Sequence, residues 1–491
     1  MIATTVPARV RPERLIVNNI LEWGIQPERR NLPEHAPPPP GARFASEDMG
    51  LYWSGDRKIV VTRHAMDTQH VDDCRAILGY ENLTCRALRS ERPGNSLCAD
   101  LVADERELAD LVELLDDGPG DGPLTVEACA STPEYARLIA SIRKRSTRVI
   151  NDRMTEQAYL EVVASLDSKV QSREFFFAAL KLCTSMRMTR AFTARRGSDL
   201  VKYVQGALPA LGPVIVKADF GAGGHSMAVI ESADSVGDKL TGFLPAGYDE
   251  DLLVEEYLGS EEEILSVSYN GMVEHGGGTS TLGAGKHFLH SGRVYTGSYL
   301  GIGSVPLGCA EKIRSAGEAI GQVAACFGYR GPLNIDFLYR ESDGAIFPLE
   351  INPRRTLGAS VAEICIQLFG PEYDKTVSAI GHRRVPVHPS ITTYGGLRDS
   401  LMRKGFFGRE TPGLMVLPYM VSSLAAASVV GLVVVSTDGT PAEDALGEIT
   451  GYLVQEARGL TDPSEGLDES EILGPGPMKA AREQFTHLEP A

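Results

Sequence analysis

A mixed α/β (α+β) fold in three parts is what the sequence predicts, and three observations carry that reading. Short β-branched runs alternate with helically spaced segments up to about residue 160. A middle stretch holds longer strand candidates joined by hairpin-type turns. The last hundred or so residues hold two strands and a helix, then a Pro-, Gly- and Glu-rich end. The expected parts are 1–160, 161–385, 386–465 and a flexible tail, 466–491. A chain of 491 residues agrees with that number at roughly 100–200 residues per domain.

In the first part, Leu15–Val17 and Ile59–Val61 are strand runs, and Val71–Leu78 and Glu105–Leu115 have helical spacing. Such alternation predicts a parallel sheet with helical cover. The four prolines Pro37–Pro40 must be loop or polyproline. In the middle part, Phe175–Leu182 reads as helix. Pro213–Lys217 is a buried strand running into a glycine-rich loop, and Leu252–Tyr257 is another strand. Asn270-Gly271, between Ile264–Tyr269 and the run from Met272, is a two-residue hairpin signal. Glu311–Phe327 is a long amphipathic helix stopped by Gly328, and Ser342-Asp343-Gly344 joins strands Asn334–Tyr339 and Ala345–Ile351. In the last part, Met415–Tyr419 and Val429–Val435 are strands, Thr437–Pro441 a turn and Ala442–Ala457 a helix.

Net charge is −17, from 65 acidic and 48 basic side chains, so a nucleic-acid backbone would be repelled. The eight cysteines form no CxxC pair and share no metal-ligand spacing with histidine; they read as free buried thiols. The N-terminal MIATTVPARVRPER has no signal-type apolar stretch, and Leu424–Val435 is too short to span a bilayer. A cytoplasmic protein with no membrane partner is the expectation.

Three segments carry chemistry. Val214–Ser226 delivers Lys217 from a strand and then a loop with Gly221, Gly223, Gly224, His225 and Ser226. Glycines admit backbone N–H groups close to phosphate oxygens, and a lysine adds a point charge. This is no GxxxxGK[ST] loop, and Gly221–Gly224 does not fit GxGxxG, which sets aside a redox enzyme on a dinucleotide-binding domain. Leu252–Gly259 is an apolar strand ending in Glu255 and Glu256, suited to reading a purine edge. The third segment pairs Asn334-Ile335-Asp336 with Glu350-Ile351-Asn352-Pro353-Arg354-Arg355. Asp336, Glu350 and Asn352 are hard oxygen ligands of the kind Mg2+ prefers. Glu350 and Asn352 share a strand face, and an odd hairpin loop would place residue 336 opposite 350 and 334 opposite 352. An odd loop, Ser342–Gly344, is therefore predicted. Arg354 and Arg355 suit phosphate or oxyanion charge beside the metal, although a salt-bridge role is expected of one of them.

The order of these parts resembles the ATP-grasp superfamily. The resemblance implies an ATP-grasp core with an N-terminal pre-ATP-grasp α/β domain and a small C-terminal α/β cap. By the same resemblance Lys217 and, earlier, Lys169 contact ATP phosphates, Glu255 and Leu258 lie at the adenine hinge, and Glu262 holds the ribose. Asp336, Glu350 and Asn352 then bind Mg2+, with Mn2+ as a substitute. The stretch Glu350–Arg354 also resembles carbamoyl-phosphate synthetase and carboxylate–amine ligases. Enzymes like D-alanine–D-alanine ligase carry an arginine where this chain has Asn334, which shifts the anion-stabilising duty to Arg354 or Arg355. The layout is similar to ATP-grasp amide ligases of secondary metabolism such as the peptide ligase of pheganomycin (antibiotic) biosynthesis. It implies amide formation from amino-acid or peptide substrates through an acyl phosphate, and a homodimer. Loading of a carrier protein, or a non-catalytic nucleotide-binding role, are the alternatives. The segments Gly221–Ser226 and Gly276–Gly285 are expected to close over the site.

Overall fold

The computed structural model describes residues 11–24, 26, 47–89, 96–118, 122–151, 157–195, 199–221, 226–241, 251–258, 264–290, 294–409 and 411–455. Three sheets organise them. The first is parallel: β1 (Arg14–Val17), β2 (Lys58–Thr62), β3 (Leu83–Ala87), β4 (Leu124–Ala128) and β5 (Ile150–Asn151), in the order β3-β2-β1-β4-β5. β1 and β2 read as continuous apolar runs because both faces of the sheet are covered. Leu15, Val17, Ile59 and Val61 pack against helices Leu97–Ala103, Glu105–Asp116 and Pro133–Arg143; Ile16 and Val60 point the other way. The crossover helix Thr68–Leu78 starts at Asp67, whose carboxylate accepts from Gln69 N and His70 N. It stops at Gly79, which takes the left-handed φ of 72° that a side chain would resist.

The second sheet is antiparallel: β6 (Ala191–Arg195), β7 (Val214–Ala218), β8 (Met227–Ile230) and β9 (Asp251–Glu256), in the order β6-β9-β7-β8. Helices Leu200–Leu211 and Val236–Thr241 close its own small core around Val214, Val216, Ile230 and Val254.

The third has eight strands: β10 (Ile264–Val273), β11 (Thr279–His290), β12 (Val294–Gly301), β13 (Gly331–Arg340), β14 (Ala345–Asn352), β15 (Ser378–Pro386), β16 (Leu414–Met420) and β17 (Val429–Ser436). The order is β14-β13-β10-β11-β12-β15-β17-β16, so the C-terminal strands extend the same sheet through β15. On one face lies helix Cys309–Cys326, which presents small residues and so approaches closely. Gly317 sits on the Tyr269 ring, where a Cβ would come within 2.2 Å. Ile313, Ile320, Leu333, Ile335 and Phe337 are buried there at about 1.5–3 kcal/mol each. Helix Leu357–Phe369 covers part of the other face and also meets Trp53, Val60 and Cys74 of the N-terminal sheet's region. On that second face of β13 stand the polar Asn334 and Asp336, between Pro332 and Leu338.

Two expectations fail here. Asn270-Gly271 makes no hairpin: β10 runs straight through it, opposite a bulge at Leu282 of β11, and the chain turns at Glu274–Gly278, where Gly277 has φ 87°. Asn270 is held in the strand by its buried side chain, whose Oδ1 accepts from Asn334 Nδ2 (3.3 Å) and Thr356 Oγ1 (3.1 Å). Nor is Gly276–Gly285 a lid. Its second half is the interior of β11, with Gly283, Ala284 and Gly285 buried and paired to β10. All eight cysteines are free, as expected, and six of them are buried.

Candidate functional site

The hairpin β13–β14 brings Asp336 opposite Glu350 and Asn334 opposite Asn352, as the strand alternation requires. The route differs from the predicted odd loop. The connection is four residues, Glu341–Gly344, and by itself would misalign the carboxylates. A bulge at Leu349, between the pairs Asp336–Glu350 and Phe337–Pro348, restores the alignment. Asn352 Nδ2 donates to Asn334 Oδ1 (2.8 Å) and Asp336 Oδ2 (3.1 Å). Burial raises the Asp336 carboxyl well above the usual range, and the charge of Glu350 raises it further. Burial acts the same way on Glu350 and is the largest single influence, but Lys169, 2.9 Å away, together with Asp336 and the charge of Lys217 outweighs it and holds Glu350 low.

The groups fit a divalent cation. Asp336 Oδ1 is buried and has no hydrogen-bond partner, and the neighbouring lysine is paired with Glu350. Rotating the Asn352 amide by half a turn offers its oxygen as a third ligand. Among the described residues no three His, Cys, Asp or Glu side chains form a metal cluster, so the amide is needed to complete the set. His287, on β11, places Nε2 at 3.4 Å from Asp336 Oδ1 and Nδ1 at 3.0 Å from Ser266 Oγ. Burial lowers its pKa to about 4 despite the pull of Glu350, so it is neutral near pH 7 and no competing cation.

A cationic group lies beside the carboxylates. Lys169 is buried and its Nζ donates to the carbonyl of Gly221 as well as pairing with Glu350. Its backbone is fixed by Asp219, whose carbonyl accepts from Lys169 N and whose carboxylate accepts from Ser168 Oγ and Val170 N. On the second sheet Lys217 Nζ is 2.7 Å from Glu255 Oε2, and Arg173 Nη1 is 3.0 Å from Glu255 Oε1, which also accepts from Thr189. Glu255 is thus a buried anchor for two cations. Glu256, next along β9, pairs with Arg190 (2.6 Å) and cannot serve the same ligand by its side chain. Leu258 is half-buried just past β9, and Ser226 is buried at the start of β8. Gly223, Gly224, His225 and Glu262 lie outside the described residues.

The two arginines part company. Arg354 remains near the carboxylates, pairs with Asp167 at 3.1 Å and lies 3.9 Å over the Trp23 ring. Arg355 does not belong to the site. It is buried against the Trp53 ring, between Glu127 of the first sheet and Glu363 of helix Leu357–Phe369, with Ser54 Oγ at 2.9 Å. Its backbone N donates to Cys129 O (2.9 Å). This clamp ties the carboxyl end of β4 to the large sheet, and its carboxylates hold the guanidinium charged against the cost of burial. Sequence reasoning missed Arg173, Thr189 and His287. Only His287 had a signal: strand alternation on β11 sets 285 and 287 on one face. A cavity of about 360 Å³ lined by Arg190, Phe192, Tyr203 and Leu211 touches none of the carboxylates just described.

With this geometry in place, comparisons become informative. Residues 191–366 match the family model described as the carbamoyl-phosphate synthase L chain, ATP binding domain. Among solved structures, an N5-carboxyaminoimidazole ribonucleotide synthetase in complex with ADP superposes with a TM-score of 0.50 at 12% identity, over 92% of this chain and 100% of its own. A biotin carboxylase from Campylobacter jejuni in complex with β,γ-ATP gives 0.51 at 13% identity, over 86% and 87%. A Rhizobium etli pyruvate carboxylase gives 0.51 at 13%, over 98% of this chain and 40% of that one. At these identities the likeness is one of fold: the chain has the ATP-grasp fold. The family match spans the second sheet and the carboxylate-bearing hairpin of that fold. Among the described residues no helix is long and apolar enough to cross a membrane.

Proposed function

We propose that this protein is an ATP-dependent ligase that activates a carboxylate as an acyl phosphate and joins it to an amine, as the amide ligases of secondary metabolism do. One observation carries the reading. Lys169 touches both the Gly221 carbonyl of the loop and Glu350 of the Asp336–Glu350 pair, so a phosphate-type cation and a metal-type anion pair meet at one point. That juxtaposition suits a nucleotide phosphate and its counter-ion.

Asp336, Glu350 and Asn352 would hold Mg2+, which when bound there neutralises charge on the transferring phosphoryl group. Lys169 and Lys217 would hold phosphate oxygens of ATP, with Glu255 and Arg173 keeping Lys217 in place. A substrate carboxylate oxygen attacks the γ-phosphorus and ADP leaves. The amine then attacks the acyl carbon, the C–O bond to phosphate breaks, inorganic phosphate departs and the amine proton passes to solvent. Arg354 is the cation left to face the tetrahedral oxyanion. His287, hydrogen-bonded to Ser266, stands beside Asp336 as a neutral ring. A second reading, with bicarbonate as the acid that is activated, draws on the two carboxylases among the similar structures.

The test is nucleotide turnover with Mg2+-ATP and pooled amino acids and short peptides, with a bicarbonate arm, read by mass spectrometry. ADP, phosphate and a new amide mass are expected. Products confined to the bicarbonate arm would select the second reading, and AMP with pyrophosphate would sink the acyl-phosphate route.

A further inference from the structure

We propose that Arg383 anchors a second anionic group, a carboxylate, on the substrate whose reacting carboxylate is activated at Asp336 and Glu350. The inference rests on the carboxylate-activating reading above and adds the class of substrate: a short molecule with two carboxylates.

The placement comes from the sheet. Ser268 lies opposite both Asp336 and Gly285, His287 opposite Ser298, and Ser298 opposite Gly381, so one face runs from the hairpin across β10, β11 and β12 to β15. Arg383, two residues past Gly381, follows on that face. It stands in a bulge: β17 pairs His382 with Leu432 and Val385 with Val430, which leaves Arg383 and Arg384 opposite Gly431 alone. A bulge of this kind re-aims a side chain. The guanidinium of Arg383 turns back over Tyr295, with Cζ 5.2 Å from the ring and Nη2 donating to Tyr295 O at 2.6 Å. Tyr295 in turn meets the His287 ring edge-on at 5.1 Å, and His287 reaches Asp336. Three successive contacts therefore join Arg383 to the carboxylate pair.

What marks Arg383 is its lack of a counter-charge. Arg173 and Arg354, around the same site, each pair with a carboxylate. Among the described residues no carboxylate lies within ion-pair distance of Arg383, and its Nε is buried without a hydrogen-bond partner. Burial first, and then the charge of the neighbouring Arg384, lower its pKa to about 10. A planar guanidinium held this way is completed by a bidentate anion. Nucleotide phosphates are assigned to Lys169 and Lys217, beyond the hairpin in the other direction. From β13 to β12 is three strand spacings, roughly 14 Å at about 4.8 Å each, which side chains from both ends shorten to the span of a small dicarboxylate or a dipeptide.

The experiment uses the full chain saturated with MgADP. Dicarboxylates from succinate to suberate are titrated by thermal shift, each beside the monocarboxylate of equal carbon number. At least one dicarboxylate should bind tenfold or more tightly than its twin. Arg383→Met should abolish that preference while keeping the MgADP shift, and Arg383→Lys should keep part of it. Should Arg383→Met not fold, a several-fold loss of preference in Arg383→Lys carries the test. Twins bound alike by the native protein, or a preference unchanged in both variants, overturns the anchor alone. A native protein indifferent to MgADP overturns the ligase reading, and the anchor with it.

Discussion

The two sides of the site are unbalanced in opposite senses. At Glu255 two cations, Lys217 and Arg173, face one carboxylate, and Thr189 adds a hydrogen bond. At the β13–β14 hairpin two carboxylates, Asp336 and Glu350, face one lysine, with Arg354 already matched to Asp167 and His287 neutral. A protein without a ligand in mind would gain by moving a charge from one side to the other, since an unpaired buried charge is costly. Leaving a surplus of each sign, with Lys169 at the border, suits a ligand that is itself divided into an anion and a cation. A metal-bound nucleotide has that division.

Removing the negative surplus should have the largest effect. Asp336→Asn is close in shape to the protonated carboxyl that burial and Glu350 already favour. The unliganded variant should therefore melt no lower than the native protein. Its ATP turnover should fall at least about a thousandfold, on the order of 4 kcal/mol, because the cation site is gone. Steady-state kinetics and calorimetry on the same sample check both halves. Turnover within tenfold of native would remove the hairpin from the chemistry.

The positive surplus is cheaper to break. After Lys217→Met, Glu255 keeps Arg173 and Thr189, so folding stability should drop by only about 1–2 kcal/mol. The MgADP dissociation constant should rise about tenfold to a hundredfold, measured by isothermal titration. A stability loss larger than the binding loss would make Lys217 a core ion pair and nothing more.

Most of this opposition was legible in the sequence, for local reasons. Strand alternation sets Glu350 and Asn352 on one face whatever the fold around them, and a hairpin in the right register brings Asp336 to the same face. The misreadings came from irregularities that leave the apolar pattern untouched. The bulge at Leu349 compensates a four-residue loop, and the turn signal Asn270–Gly271 lies inside a regular strand, opposite a bulge at Leu282 of β11. Partners far along the chain were invisible altogether. Arg355 is decided by Glu127, 228 residues away, and Glu255 by Arg173, 82 away. No sequence period reports such pairs.

The smallest expected effect tests the premise that a buried carboxylate without a cation is costly unless a ligand completes it. Asp48 is such a group away from the site. It lies in the short 3-10 turn Glu47–Tyr52 and accepts from Val421 N (2.6 Å), Ser422 N (3.1 Å) and Ser422 Oγ (3.3 Å). Burial raises its pKa to about 7, and those hydrogen bonds oppose the shift without reversing it. The folded protein thus holds a proton that the unfolded chain releases above its ordinary 3.8. The stability this proton confers is full below about pH 4 and is lost as pH rises through 7. Asp48→Asn keeps an oxygen for the backbone donors and carries no charge. The variant should match the native protein at pH 4 and exceed it at pH 8 by on the order of 2 kcal/mol in denaturant melts. Glu47, raised by burial to about 7, titrates in the same sense, whereas His70, lowered by burial to about 4, costs stability as pH falls below its ordinary 6.5. Both are present in both proteins, so the difference between the two pH curves belongs to Asp48 and to the part of the Glu47 shift that the Asp48 charge causes. A flat difference would mean that this interior accommodates a lone carboxylate at no cost, and the surplus at Asp336 and Glu350 would then no longer point to a cation.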